Sequence, residues 1–366
     1  MDKKRILLVG PLPPPLGGDT VSTLNLSRSR HWGDCGMLVE VVNTSAGDRV
    51  RLAGELLTPG DLARGARILV RVLAALPRTD ALLLWANSRF LCTLGVVIIR
   101  LARICRTPVV VKPFGTSLVE RVGMLPRPRR HRVRRGLSRV DLILPETGLL
   151  RSWLVDDLGL EPSRVVQAPN FIPDELLTGK LDERAPGRRC VFVGQIKREK
   201  GVFEIIEAVS GIDGLGCDFY GPIVGRDRDM FLAAVEAAGN ISYMGVVEPD
   251  RIRELICGYD ILLLPTYHGG EGYPAVVLEA FSAGVPVITT RWRSIPEIVE
   301  DEVNGLLVPV KSPDALRDAI RRLASDGELY RAVRANAFRF VRSFSEERVV
   351  RDILIERVER MMKPSH

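Results

Sequence analysis

Two glutamates, Glu271 and Glu279, flank Pro274 in the string from Pro265 to Pro286, PTYHGGEGYPAVVLEAFSAGVP. An apolar run ends at Pro265, and a glycine-rich loop follows it. Pro274 stands where a helix would begin, a position that suits proline. Gly284 and Pro286 then stop the helix. This arrangement leaves the backbone N–H groups of Ala275 and Val276 at a helix N-terminus, where they can receive an anion. Glu271 lies before them and Glu279 about one turn after. Such a pair can hold two hydroxyl-bearing parts of one ligand while the amides between them hold phosphate. A nucleotide sugar, with its sugar, diphosphate and ribose, has that layout. Taken alone, two glutamates at this spacing would more often be ordinary loop and helix charges.

A second constellation lies upstream in FVGQIKREKG, residues 192–201. It has the form of a strand, a glycine turn, a cationic loop and a helix start. Basic side chains beside a glycine-rich turn suit a diphosphate. Gln195, Lys197, Arg198 and Lys200 are the polar candidates here, and a basic surface turn is the plain alternative.

These residues need a frame. Short apolar runs bounded by turn residues predict strands at 5–9, 38–42, 81–85, 109–112 and 141–144. Helical stretches such as 61–76 and 93–106 separate them. A stretch rich in Pro, Gly and charge, 173–189, predicts a linker. Strand signals resume at 190–194, 218–220, 241–244, 261–264, 285–289 and 305–308. Strands alternating with helices mean βαβ units and parallel sheets. The expected architecture is therefore α/β: two Rossmann-like parallel-sheet domains, residues 1–175 and 185–344. A last helix at about 345–366 is expected to pack back on the first. Ligands of such sheets bind at the carboxyl ends of the strands.

Together these motifs resemble the retaining family-4 glycosyltransferases of the two-Rossmann, or GT-B, type. That family's signature reads P-S/T-x-x-E-G-x-P/G-x-x-x-L-E-A-x-A-x-G-x-P-V-I. The resemblance is specific from about Cys190 to Val308 and looser before that. It implies two domains facing across a cleft, with the donor held by the second and the acceptor by the first. It implies that Glu271 contacts hydroxyls of the donor sugar and that Glu279 binds the ribose diol. Gly272, Tyr273, Ala275 and Val276 would line the donor site between them. The family's V-G-R-x-x-x-x-K-G places an Arg and a Lys on the donor phosphates. Lys200 and Gly201 match, but Gln195 stands at the Arg position. Gln195 could still donate a hydrogen bond, and Arg198 or Lys197 could replace the missing charge. Glu271, Lys200 and Arg198 are thus the expected catalytic residues.

The paired glycines Gly17 and Gly18, after the first strand and a proline run, resemble the family loop that faces the donor phosphates. The G-x-G-x-x-G dinucleotide fingerprint does not occur. Relatives carry His-Gly after the fourth strand, where this chain has Phe114 and Gly115. Lys112, just before, is a strand-end residue or an anion contact. Asn170 falls in a segment resembling the family's N-G-V/I-D, where it would shape a turn.

The chain has 366 residues, 46% hydrophobic and 27% charged, enough for two cores. Net charge is +7, but residues 1–180 carry 27 Lys/Arg against 16 Asp/Glu, whereas 181–366 carry 25 against 29. The basic excess therefore lies in the first half and suits an anionic partner. Seven arginines fall between Arg127 and Arg139. An anionic membrane surface is their expected partner, at about 1 kcal/mol per basic residue. Nucleic acid is not expected, because no aromatic residues interleave with the arginines.

Six scattered cysteines and four dispersed histidines form no metal or redox motif, and no Asp-x-Asp occurs in a suitable place. Neither a signal peptide nor a membrane span is expected. The expectation is a cytoplasmic enzyme, peripheral on the inner face of the membrane. It would transfer a hexosyl group with retention, using no metal and no cofactor other than its nucleotide-sugar co-substrate. A lipid-linked saccharide of polysaccharide or glycolipid biosynthesis is the expected acceptor. A nucleotide-sugar epimerase and an inactive scaffold relative are the alternatives.

Overall fold

The computed structural model describes residues 3–47 and 58–362. The last four residues of the expected terminal helix lie outside them. The chain forms two compact units, Met1–Asn170 with Glu346–His366, and Phe171–Ser345.

The first unit holds a five-stranded sheet in the order β2-β1-β3-β4-β5. Its strands are β1 (Lys4–Gly10), β2 (Met37–Asn43), β3 (Ala81–Ala86), β4 (Val109–Pro113) and β5 (Leu142–Ile143). The second holds six, in the order β11-β10-β9-β6-β7-β8. These are β6 (Arg189–Val193), β7 (Gly216–Tyr220), β8 (Ile241–Tyr243), β9 (Ile261–Leu264), β10 (Val287–Thr290) and β11 (Leu306–Val308). Every ladder in both sheets is parallel. The two Rossmann-like sheets expected from the strand–helix alternation are therefore present, and each of the eleven apolar runs forms a strand. Continuous apolar runs are what strands covered on both faces require. In β3 and β9 every residue is buried.

Strand order reverses in each unit. In the second, β6 leads outward to β7 and β8 on one side, while β9 leads to β10 and β11 on the other. The loops leaving β6 and β9 run side by side from that point, at the carboxyl edge where doubly wound sheets receive ligands. These are the loops that carry Lys200 and Glu271.

The stretch expected as a linker, 173–189, is held within the second unit. The buried Arg334 guanidinium donates to the Gly284 carbonyl at 2.6 Å and to the Asp182 carboxylate at 2.5 Å. Arg184 adds a bond to the Tyr259 carbonyl at 2.9 Å. Sequence composition marks a break in periodicity there but is blind to these long-range anchors. In the first unit, the closing helical segment Glu347–Met362 packs on the short helix His31–Asp34.

One glycine sets how closely the β6 and β9 loops approach. Gly201 has φ +78°, and a Cβ built there would lie 2.3 Å from the Pro265 carbonyl oxygen. Only a residue without a side chain satisfies both conditions. Gly201→Ala is expected to lower unfolding free energy by roughly 1–3 kcal/mol. Urea unfolding checks this, and a change inside 0.5 kcal/mol would refute the close-approach argument.

Candidate functional site

The Lys200 ammonium lies against both oxygens of the Glu271 carboxylate, 2.9 Å from Oε1 and 2.7 Å from Oε2. Glu271 is buried and Lys200 nearly so. The Thr266 hydroxyl donates to Glu271 Oε2 at 2.7 Å. The two loops are further joined by the Tyr267 N–H, which donates to the Glu199 carbonyl at 2.8 Å. Burial pushes the Glu271 carboxyl up, but the Lys200 charge and the bonds from Lys200 and Thr266 outweigh it. The net effect holds it below the ordinary carboxylate range. Glu271 is therefore an anion at neutral pH, and Lys200 its counter-ion.

Glu271 leads directly to the helix Ala275–Ser282, for which Pro274 is the cap. Proline is thus the residue before the first helical position, one earlier than expected. It offers no side-chain cap, so the first-turn amides of the half-buried Ala275 and Val276 remain for water or a ligand. Gly272 and Tyr273 are buried in the approach to this helix. The Tyr273 hydroxyl donates to Glu297 at 2.7 Å, which fixes the loop against the turn after β10. Glu279 lies one turn into the helix, half-buried. No hydrogen bond to its carboxylate occurs among the described residues. Burial alone pushes that carboxyl up to about 7.

The cationic loop divides its charges. Arg198 points outward. Its guanidinium lies 3.3 Å from Asp227, packs over the Phe203 ring at 4.4 Å, and is about half exposed. Lys197 points inward, with its ammonium 3.4 Å from both ring nitrogens of His268. Sequence reasoning missed His268 as a site member. Its imidazole Nδ1 lies 2.8 Å from Glu199 Oε2, and its carbonyl accepts from the Trp292 indole at 2.9 Å. Burial, with Lys197 and Lys200 nearby, holds the imidazole below its ordinary pKa. The position of His268 three residues before Glu271 in a glycine-rich loop was the available signal. Gln195 is half-buried, and its side chain makes no hydrogen bond among the described residues.

In the first unit, Gly17 and Gly18 open the helix Gly18–Arg28, where the Gly17 N–H donates to the Thr20 hydroxyl at 3.1 Å. Phe114 is buried. Lys112 is also buried, and it donates to the carbonyls of Ala168 and, at 3.2 Å, Pro169. Burial pushes the Lys112 ammonium down to about 8. This is a strand-end brace. A buried acid that sequence reasoning also missed, Glu146, accepts from the Asn170 amide at 2.7 Å and the Gly115 N–H at 3.2 Å. A charge placed three residues after the end of β5 was the clue. The seven arginines between Arg127 and Arg139 are all exposed, and six of them sit on the helix Arg127–Leu137. Arg127, Arg130, His131 and Arg134 line one side of a cavity of about 270 Å³, which Asp157 and Leu158 complete. No helix among the described residues is long and apolar enough to cross a membrane.

Known proteins share the fold and parts of the sequence. Residues 176–340 match the family model of the glycosyl transferases group 1, which covers the second unit's sheet and its candidate site. The amylovoran biosynthesis glycosyltransferase AmsK of Erwinia amylovora is 28% identical over 198 residues, 51% of this chain and 48% of AmsK. The phosphatidyl-myo-inositol mannosyltransferase of Mycolicibacterium smegmatis is 26% identical over 187 residues, 50% of this chain and 47% of that enzyme. The matched segments span from 24% to 51% of the lengths of such curated relatives. The crystal structure of Anabaena HepE in complex with UDP and glucose superposes with a TM-score of 0.75, covering 97% of this chain and 100% of HepE at 14% identity. The chain thus has the GT-B fold, and its residues 176–340 are similar to the glycosyl transferases group 1.

Glu279 offers a pH test. Its folded pKa lies above its unfolded one, so its contribution to stability is full below the unfolded value near 4.5. It is lost as pH rises through about 7. Glu279→Gln removes the titration. The melting temperature of the variant relative to wild type should therefore climb between pH 4.5 and 8. A constant difference across that range would show that the carboxyl is not desolvated.

Proposed function

We propose that this chain transfers a hexosyl group from a nucleoside diphosphate sugar to a saccharide or lipid-linked acceptor, with retention at the anomeric carbon and without a metal. The observation that carries this reading is the buried Lys200–Glu271 pair, set at the carboxyl edge of a parallel sheet beside an uncapped helix start. An ammonium and free amides together suit the diphosphate. The Glu271 carboxylate suits sugar hydroxyls, and Glu279 suits the ribose diol, which can donate to it in either protonation state. UDP is the first nucleotide to test, since HepE is a UDP complex.

In the proposed step the bond between the anomeric carbon and the phosphate oxygen breaks, and its electron pair stays on that oxygen. The acceptor oxygen bonds to the anomeric carbon on the same face. Its proton passes to the leaving phosphate oxygen, so no protein base is consumed. The protein contributes preorganised positive charge where negative charge develops, which is often the largest catalytic term. Lys200 and the amides of Ala275 and Val276 supply it.

The acceptor side rests on the first unit. AmsK is a polysaccharide-biosynthesis enzyme by name, and the Mycolicibacterium enzyme acts on a phosphatidyl-inositol. The seven exposed arginines suit an anionic membrane on which a lipid-linked acceptor would lie.

A thermal-shift panel of UDP, GDP and ADP sugars tests the donor class; no response to any of the three would sink it. Lys200→Ala should cut transfer turnover on the order of a hundredfold or more, measured as nucleoside diphosphate release that depends on added acceptor. Unchanged turnover would overturn the assigned role. For the membrane arm, replacing Arg130, Arg132 and Arg135 by Gln should weaken flotation with phosphatidylglycerol vesicles by on the order of a hundredfold. Flotation equal to wild type would end that assignment.

A further inference from the structure

We infer that Lys197, and not Arg198, supplies the second positive charge on the donor diphosphate. This rests on the donor reading above and goes beyond it by naming a residue for the position that Gln195 leaves uncharged.

Lys200 is already neutralised, because its ammonium contacts both Glu271 oxygens within 2.9 Å. Arg198 is also compensated. It has the Asp227 carboxylate at 3.3 Å, the Phe203 ring beneath it and water around it. Lys197 has neither advantage. Its side chain is 21% exposed against 48% for Arg198. The carboxylate that approaches it most closely, Glu199 Oε2, lies 4.0 Å away and is itself engaged by His268 at 2.8 Å and largely exposed. An exposed carboxylate at that range compensates a half-buried ammonium weakly. The remaining contact is the His268 ring at 3.4 Å, which is a neutral partner when unprotonated.

The charged groups acting on Lys197 are Lys200, Glu199 and Glu271. Burial and the Lys200 charge hold its ammonium below the ordinary lysine range. A desolvated cation beside a second cation gains most when a dianion arrives between them. The site therefore presents a neutral ion pair and one under-compensated ammonium, with both lysines on the residues that leave β6. Lys197 and Lys200 are near enough to repel each other, so one diphosphate can meet both. His268 gives Lys197 an inward direction, and Asp227 draws Arg198 away.

The experiment is calorimetric titration of the full chain with UDP, then GDP and ADP, for wild type, Lys197→Gln, Lys197→Arg and Arg198→Gln. Unliganded melting temperatures are measured alongside. Lys197→Gln should weaken the diphosphate at least tenfold, Lys197→Arg should recover most of that loss, and Arg198→Gln should lose no more than about threefold. Unliganded Lys197→Gln should melt no lower than wild type, because it removes a poorly compensated charge. Should it fail to fold, Lys197→Met keeps the aliphatic stem and replaces it. Wild-type affinity in Lys197→Gln, or a larger loss in Arg198→Gln than in Lys197→Gln, would overturn the inference while leaving the donor reading intact. Wild type that binds none of the three nucleotides would overturn both.

Discussion

The contact between the Lys200 ammonium and the Glu271 carboxylate is the constraint on which the second unit's site depends. It joins the loop leaving β6 to the loop leaving β9, at the point where the strand order turns. A buried ion pair is weak evidence for stability, since desolvation offsets much of the attraction. Its value here is positional. Two extra partners, the Thr266 hydroxyl and the close backbone approach at Gly201, leave the carboxylate little freedom. Removing one member would strand a buried charge, which is far more damaging than never having placed the pair.

The pair also sets the electrostatics of everything near it. Because it is internally neutral, it does not by itself create an anion site. The Lys200 ammonium contributes to one only together with the uncapped amides of the helix Ala275–Ser282 and the inward lysine of the cationic loop. Glu279 adds the opposite behaviour. It is a carboxyl without a counter-ion among the described residues, near half-protonation at neutral pH. Two glutamates of one motif are thus driven apart by their surroundings, one by a counter-ion and one by burial alone.

The first unit follows a different logic. Its buried Lys112 and Glu146 and its half-buried Asn170 bond to backbone and to one another at the ends of β4 and β5. Six of its arginines, in contrast, are displayed on one helix whose other face, Val133, Gly136 and Leu137, is buried. The basic excess of residues 1–180, 27 Lys/Arg less 16 Asp/Glu, is eleven charges, and this one helix carries six arginines and no acid.

The strand–helix order was legible in the sequence, because apolar runs bounded by glycine and proline carry their own period. The glycine-rich loop and helix start at 265–286 were legible for the same reason: local residue types decide local backbone. Lys200 and Glu271 were legible as candidates, though 71 positions apart in the chain. What the sequence could not settle was direction. Lys197, Arg198 and Lys200 are all cations within four residues, and nothing local says which turns inward. Tertiary structure decided that through Asp227, His268 and Glu271, each distant in sequence, with Phe203 close by beneath Arg198. It also decided that 173–189 is anchored by Arg334. Composition fixes which segments can be strands, but long-range side-chain partners decide where a charge points.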